Sequence, residues 1–318
     1  MIEAETVDEF VNCQTTRKNE ESFAEVQDLN DYDLKILRFI GNTEKNRFTN
    51  ISCYDEVFDD KEDKAFYVHA NTYRTPYGNF LVSQAPNKIT IGDHLHLMWM
   101  YNVRTVVCLV AAEEAGGYFD VKEGGKVVVF MKYTMKTLKI FDEKQGITVY
   151  QCELKSTKAQ ERRIIYIIAC ETQIGAIRSP RVQSAIMEYM WSFEQAEALD
   201  NGPAESIVLV HGISGTRRCT SFVVAAVMCR QILETGQFNA METWIEMRKR
   251  RAHSCSRKHD FYSSIYTVFS FAAQCCAVSE TDTTFVQAME VLRTLLDKKQ
   301  NRDTPEPQQS QGAEKSDV

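Results

Sequence analysis

The stretch VLVHGISGTRRCTSF, from Val208 to Phe222, has an order of residues that can hold an anion. An apolar run is followed by a glycine-bearing segment, and an arginine stands where a helix is expected to begin. In such an arrangement the loop N–H groups and the helix N-terminus converge on one point, and the guanidinium grips a phosphate. The spacing alone equally allows a tight strand-to-helix turn with a surface arginine. The predicted phosphate-binding loop consists of Gly212, Ile213, Ser214, Gly215, Thr216, Arg217 and Arg218.

Other chemistry-bearing motifs do not fit this chain. A nucleophile elbow needs Gly-x-Ser-x-Gly, but Gly215 directly follows Ser214. A Walker A loop ends in Gly-Lys-Ser/Thr, and that ending is missing. No cysteines and histidines have the spacing of zinc ligands, and Cys275 and Cys276 are adjacent in an apolar helical stretch. We therefore expect no metal and no cofactor.

Apolar periodicity predicts the elements that position the loop. Short strand-like runs such as YVHANTY, NFLVSQA and VRTVVCLV occur between Phe66 and Val110, with further runs up to Ile168. After residue 180 helical periodicity dominates, interrupted by a buried strand at 206–210. Strands first and helices later predict a mixed α/β (α+β) domain rather than a βαβ repeat. The helices predicted after this strand are Ser221–Thr235, Asn239–Arg251, Asp260–Gln274 and Thr284–Lys299.

Composition narrows the class of protein. The 318 residues are 44% hydrophobic and 25% charged, enough for one large core or two modest ones. A net charge of −7 argues against nucleic acid or an anionic membrane as a partner. No apolar run reaches the roughly 18 residues of a membrane span, and ten cysteines without regular spacing favour free thiols. We expect a cytoplasmic protein with no integral membrane segment.

Several stretches, in order along the chain, resemble the classical protein tyrosine phosphatases. The family signature is His-Cys-x5-Arg, and His211 to Arg218 keeps that spacing. EKNRFTNIS resembles the phosphotyrosine-recognition loop, with Phe48 and Asn50 at the recognition positions. FYVHAN, the run from Phe80 to Leu109, and WIEMRKRRAHSCS resemble further family segments. The resemblance covers roughly residues 30–280 and implies a highly twisted mixed sheet flanked by helices, with the loop at the base of a cleft.

The resemblance fails at the positions that carry the chemistry. Gly212 stands where the family has its cysteine nucleophile, Gln173 where it has the aspartic general acid, and Ser256 where a glutamine positions water. Asn50 replaces the aspartate that grips the substrate backbone. Arg217 replaces a glycine of the loop, where it either crowds the loop or adds positive charge.

Three other residues are weighed as replacements. Ser214 lies in the loop without a partnered base, and Glu171 occupies the position of the family's tryptophan, two residues from the acid position. Cys219 follows the arginine and is expected to point along the helix as a small packed thiol. We expect none of them to restore the reaction.

Loss of a nucleophile from residues that act as a unit costs about 10⁶-fold in rate. The sequence therefore predicts a catalytically degenerate member, a pseudophosphatase, that is not an enzyme. It would act in signalling by binding, either holding phosphotyrosine-containing partners or scaffolding. The alternatives are a residual or unconventional tyrosine phosphatase and a structural or assembly protein with a vestigial pocket.

The predicted division of the chain has four parts. Residues 1–29 form an N-terminal helical extension and residues 30–280 the phosphatase-like domain. Residues 281–300 form a C-terminal helix, and the polar residues 301–318 a disordered tail. The basic run from Arg248 to Arg251 is assigned to a helix C-terminus, where cations complement the dipole.

Overall fold

A computed structural model describes residues 5–6, 20–24, 35–55, 66–144, 146–170, 180–201 and 206–297. Most of the predicted N-terminal extension, and all of 301–318, lie outside the described residues, as do Glu171 and Gln173. Of the described helices, none has both the length and the apolar character needed to cross a bilayer.

The described strands are β1 Glu5–Thr6, β2 Ala70–Thr75, β3 Gly78–Gln84, β4 Thr105–Cys108, β5 Val128–Phe130, β6 Tyr133–Lys144, β7 Ile147–Ser156, β8 Glu161–Cys170, β9 Val208–Gly212 and β10 Gln237–Phe238. Eight of them form one sheet, in the order β2-β3-β9-β4-β8-β7-β6-β5. Its centre is parallel, because β3, β9, β4 and β8 pair in parallel, and the strands on either side pair antiparallel. A separate pair joins β1 to β10.

Helices cover both faces of the sheet, so the central strands are buried on both sides. Alternate residues of β9 enter two different cores: Val208 and Val210 pack in one, and Leu209 in the other. Because both faces of β9 are buried, its sequence is a continuous apolar run. The helices are α1 Leu37–Gly41, α2 Ile91–Met100, α3 Pro180–Asn201, α4 Arg217–Thr235, α5 Ala240–Arg250, α6 Lys258–Gln274 and α7 Thr283–Asp297.

The helix after the loop, α4, lies inside the larger core. Its residues Cys219 to Cys229 are all buried. The helix is capped by Gly236, which has a φ of 72°, in the left-handed region. The N–H of Gly236 donates to Ile232 O at 2.9 Å, and this conformation ends the helix. Burial along α4 holds its N-terminus, and hence the loop, in a fixed place.

The predicted mixed α/β class is confirmed, whereas some element boundaries were wrong. α4 begins at Arg217, four residues before the predicted start, because the arginines that looked like loop form its first turn. β6 was missed altogether. Its lysines gave it a polar appearance, although Tyr133, Met135 and Thr137 alternate inward against the core.

Candidate functional site

The predicted loop lies between a central strand and a buried helix. Gly212 ends β9, paired with Gln84 of β3, and α4 begins five residues later at Arg217. The N-cap residue Thr216 makes no side-chain capping bond. Within the described part of the chain, the backbone N–H groups of residues 213–216 donate to no protein acceptor. An uncapped helix N-terminus preceded by open N–H groups is an anion site.

Gly215 lets the loop approach β3 closely. Its φ is +66°, and a Cβ there would lie 2.1 Å from the carbonyl oxygen of Ser83. No side chain fits at that distance, so the glycine is required by both space and backbone conformation.

The buried guanidinium of Arg251 fixes the loop from behind. Its Nε donates to Gly215 O and its Nη2 to Ser214 O, each at 3.0 Å. The same group contacts Asn71 Oδ1 at 2.7 Å and His69 Nδ1 at 2.9 Å. Because Arg251 is 0% exposed and engages two loop carbonyls, it positions the loop. The basic run lies at the C-terminal end of α5, as expected, with Arg251 as the C-cap residue. The side chain of Arg251 in addition points inward and binds the loop carbonyls.

The segment that resembles the phosphotyrosine-recognition loop is attached beside the phosphate loop through Arg47. Its Nε donates to Ala85 O at 2.6 Å, and the N–H of Ala85 donates to Gly212 O at 2.6 Å. The two segments therefore meet at the end of β3. Phe48 is 36% exposed and Asn50 is exposed, so both positions are open to a ligand.

The side of Gly212 where a side chain would stand faces a thiol from α4. A Cβ on Gly212 would lie 2.8 Å from Cys219 Sγ, and apart from residues 211 and 213 no other described residue comes within 4 Å of that position. Cys219 is the small packed thiol that was expected, since it is 1% exposed in the larger core, but its Sγ faces the end of β9 rather than along the helix. In an α-helix the Cα–Cβ bonds tilt toward the N-terminus, so a first-turn residue points back at the preceding loop.

The side chain of Arg217 is paired with Asp260 at the start of α6, with Nε 3.2 Å from Oδ2. Asp260 is 4% exposed; burial raises the pKa of this carboxyl, and Arg217 opposes that effect. The added positive charge expected of Arg217 is therefore paired with Asp260. The Ser214 hydroxyl contacts the Thr216 hydroxyl at 2.9 Å and no base.

Two buried histidines lie beneath the loop. His211 Nε2 is 2.8 Å from Tyr118 Oη, and the ring of His94 contacts the ring of His211 edge-on. Burial lowers the pKa of His94 to about 3, and burial with the neighbouring His94 and Arg47 lowers that of His211, so both rings are neutral. Neither ring nitrogen of His94 has a hydrogen-bond partner among the described residues.

A cavity of about 10 Å³, the size of one water molecule, is lined by Val68, His69, Gln84, Pro86, Thr90 and His94.

The remaining predicted position, Ser256, is exposed in the segment between α5 and α6. That segment joins the recognition loop through His253 Nε2, 3.0 Å from Ser52 Oγ. Next to Ser52, the thiol of Cys53 is buried 3.4 Å from Arg251 Nη1, and burial raises its pKa. No group of three or more potential ligands in the described residues is placed to hold a metal ion.

Comparison with known proteins agrees with this geometry. The family model described as "Protein-tyrosine phosphatase" matches residues 42–270. The chain belongs to the protein tyrosine phosphatase family. Tyrosine-protein phosphatase non-receptor type 18 of Mus musculus is 22% identical over 267 residues, covering 74% of this chain and 54% of that protein. The non-receptor type 2 enzyme of Homo sapiens is 22% identical over 256 residues, covering 76% and 60%.

The fold also matches a solved structure, described as the structural basis of the PTPN18 fingerprint on distinct HER2 tyrosine phosphorylation sites. The TM-score is 0.65 at 17% identity, covering 80% of this chain and 94% of the other. This match confirms the expected phosphatase-like fold. The chain spans 54% and 60% of the length of the two curated relatives.

These comparisons contradict the expectation that the chain is not an enzyme. That expectation rested on Gly212 and Gln173, yet the family model and both relatives are tyrosine phosphatases. The site also holds two thiols: Cys219 against Gly212, which was weighed and set aside from the sequence, and Cys53 beside Arg251, which the sequence did not single out. A missing thiol at residue 212 therefore does not decide whether the chain has activity.

Sequence reasoning missed the residues that support the loop. Arg251 was hidden in a run of four basic residues, and Asp260 stood at a predicted helix start with no distinguishing feature. His94 has a weak signal, because it lies on the otherwise apolar side of α2 that includes Ile91 and Leu95.

Proposed function

We propose that this chain recognises phosphotyrosine-containing proteins in signalling, with the phosphate in the loop Gly212–Arg218 and the aromatic ring beside Phe48. The observation that carries the proposal is the set of open N–H groups at residues 213–216, held by Arg251 at an uncapped helix N-terminus. Membership of the phosphatase family supports an aryl phosphate over other anions. The neighbouring structure concerned with HER2 tyrosine phosphorylation sites supports a phosphotyrosine protein as the class of partner.

The chemistry at this site has to be unconventional, because Gly212 cannot attack phosphorus. The geometry favours Cys219 in the first turn of α4, whose Sγ lies 2.8 Å from where a Cβ of residue 212 would stand. A helix N-terminus stabilises a thiolate. In this reaction the sulfur bonds to phosphorus and the bond to the tyrosine oxygen breaks. The phenolate takes a proton from water, and a second water then cleaves the S–P bond.

A second candidate function is retention of phosphotyrosine partners. It is favoured by the burial of Cys219, which is 1% exposed, and by the exposed serine at position 256. A site that binds phosphate well and turns it over slowly holds its partner for long periods.

Titration with a fluorescent phosphotyrosine peptide tests recognition. We expect Arg218→Met to weaken binding by about 30-fold, since a charge-assisted contact to phosphate contributes about 2 kcal/mol. Arg162→Met is the matched control, because its side chain is 79% exposed on β8, outside the loop. Absence of binding to the wild-type chain, or equal loss in both variants, would refute the proposal.

Phosphate release from p-nitrophenyl phosphate tests the chemistry. Cys219→Ser should abolish any release and any phosphocysteine detected by mass spectrometry, whereas Cys276→Ser, at an exposed thiol, should change neither. Release that persists in Cys219→Ser would assign the reaction to another group. Tight peptide binding without measurable release would favour retention.

A further inference from the structure

The hairpin β5–β6 presents an exposed apolar edge that the phosphate site does not use. β5 is the last strand of the sheet. Val127, Val129 and Met131 are 48%, 62% and 81% exposed. Val129 lies in β5, Val127 directly precedes the strand and Met131 follows it in the turn. Large exposed apolar residues clustered along the edge of a sheet mark a contact surface.

The backbone of this edge is available for pairing. Phe130 and Tyr133 close the hairpin around the two-residue turn, and Val129 pairs with Thr134. Bonded and non-bonded pairs alternate along an antiparallel ladder, so the N–H and C=O of Val129 point away from β6. No strand of the described chain lies on that side.

The turn itself contains a strained apolar residue. Met131 has a φ of +53°, in the left-handed region that glycine or asparagine normally occupies in such turns. Its sulfur rests over Gly92 of α2, where a Cβ would lie 2.8 Å from Sδ. A methionine held in this conformation, and 81% exposed, extends the apolar row of the edge.

The charge around the edge selects the partner. Residues 120–140 contain five lysines and two acidic residues, although the whole chain has a net charge of −7. Of the two acids, the Asp120 carboxylate already accepts the backbone N–H groups of Lys122 and Lys126. Two copies pairing through β5 would bring their lysines together, which disfavours self-association. A lipid surface would leave the N–H and C=O of Val129 unpaired.

We propose that β5 is a docking edge for an extended acidic segment of a partner protein, which adds a strand beside Val129. Its alternate apolar residues cover Val127, Val129 and Met131, and its acidic residues meet Lys122 and Lys126. Main-chain bonds give affinity in this mode of binding, and side chains give specificity. This surface is independent of phosphate binding.

Two labelled peptides test the proposal on the full chain: alternating valine and glutamate, and alternating valine and lysine. We expect the acidic peptide to bind at least about tenfold more tightly in fluorescence polarisation. Val129→Pro should weaken it about tenfold, because proline cannot donate the edge hydrogen bond. Lys122→Glu combined with Lys126→Glu should reverse the preference while leaving the backbone intact, and Lys249→Glu on α5 is the matched control.

Equal binding of the two peptides, or binding unchanged in both edge variants, overturns the proposal. So does concentration-dependent dimerisation that Val129→Pro abolishes, which would assign the edge to a second copy. Binding to phosphatidylserine vesicles in place of the acidic peptide would assign it to a lipid surface. If Val129→Pro alters the thermal melting curve, the charge-reversal variant decides the question.

Discussion

The contact between Gly212 and Cys219 predicts that a single methyl group at residue 212 destabilises the fold. Gly212 is buried, and its backbone does not have a positive φ, so alanine introduces no backbone strain there. The added Cβ would stand 2.8 Å from Cys219 Sγ. Relaxed carbon contacts are about 3.5–4.0 Å, so the sulfur or the strand end has to move.

Two opposing effects determine how much Gly212→Ala changes the free energy of unfolding. Overpacking of a close-packed core typically costs about 1–3 kcal/mol. Replacing glycine restricts the unfolded chain and stabilises the folded state by about 0.4–1 kcal/mol. We therefore expect a net loss of about 1–2 kcal/mol in the free energy of unfolding. In a Cys219→Ala background the sulfur is absent, and the same substitution should be neutral or stabilising by up to about 1 kcal/mol.

Urea denaturation of the four chains in this double-mutant cycle gives the coupling between the two sites. We expect a coupling energy of about 1–3 kcal/mol. Gly41→Ala is the matched control, since a Cβ there has no atom within 4 Å. A Gly212→Ala chain as stable as the wild type would refute this prediction. So would an effect of Gly212→Ala that is the same with and without the thiol of Cys219.

Three further predictions concern the supports of the loop. Arg251→Met leaves four buried acceptors without their donor, and we expect the free energy of unfolding in urea to fall by about 3–5 kcal/mol. A loss under about 1 kcal/mol would contradict the role of Arg251 in positioning the loop. His94 has its pKa lowered to about 3 by burial, so the unfolded state binds the extra proton between pH 6.5 and 3. Stability is then complete above pH 6.5 and falls below it by up to about 1.4 kcal/mol per pH unit. His94→Phe should reduce that slope, and an unchanged slope would show that His94 is charged in the folded state. Asp260→Asn releases the charge of Arg217 toward the loop, and phosphotyrosine-peptide titration should show about fivefold tighter binding, a gain of about 1 kcal/mol. Weaker binding would mean that the ion pair positions Arg217 for the ligand.

Local patterns in the sequence predicted the loop and most of the elements around it. The apolar run before Gly212 predicted a buried strand, because a central strand with both faces covered has no polar side. The period of 3.6 predicted the helices, since each buries one face. β6 was missed because its inward residues alternate with lysines over a long hairpin, and only its pairing with β7 gives those inward residues a core.

The supports of the loop could not be predicted from the sequence, because they come from distant parts of the chain. Arg251 reaches Ser214 and Gly215 across 37 and 36 positions, and His69 across 182. Such contacts depend on how helices and strands pack, which no local pattern contains. The same limit applies to Asp260, whose burial and partner follow from the packing of α6 against α4.

The error about Cys219 had a different origin, because local geometry did contain the answer. Once α4 is known to begin at Arg217, residue 219 lies in the first turn, and the tilt of its Cα–Cβ bond directs the thiol toward the end of β9. The prediction counted the helix only from Ser221 and expected the thiol of Cys219, directly after the arginine, to point along the helix. An error of four residues in one boundary therefore separated the glycine from the sulfur that stands against it. The loss of a side chain at residue 212 and the thiol at residue 219 are one structural feature, and the activity of this site has to be tested at both positions together.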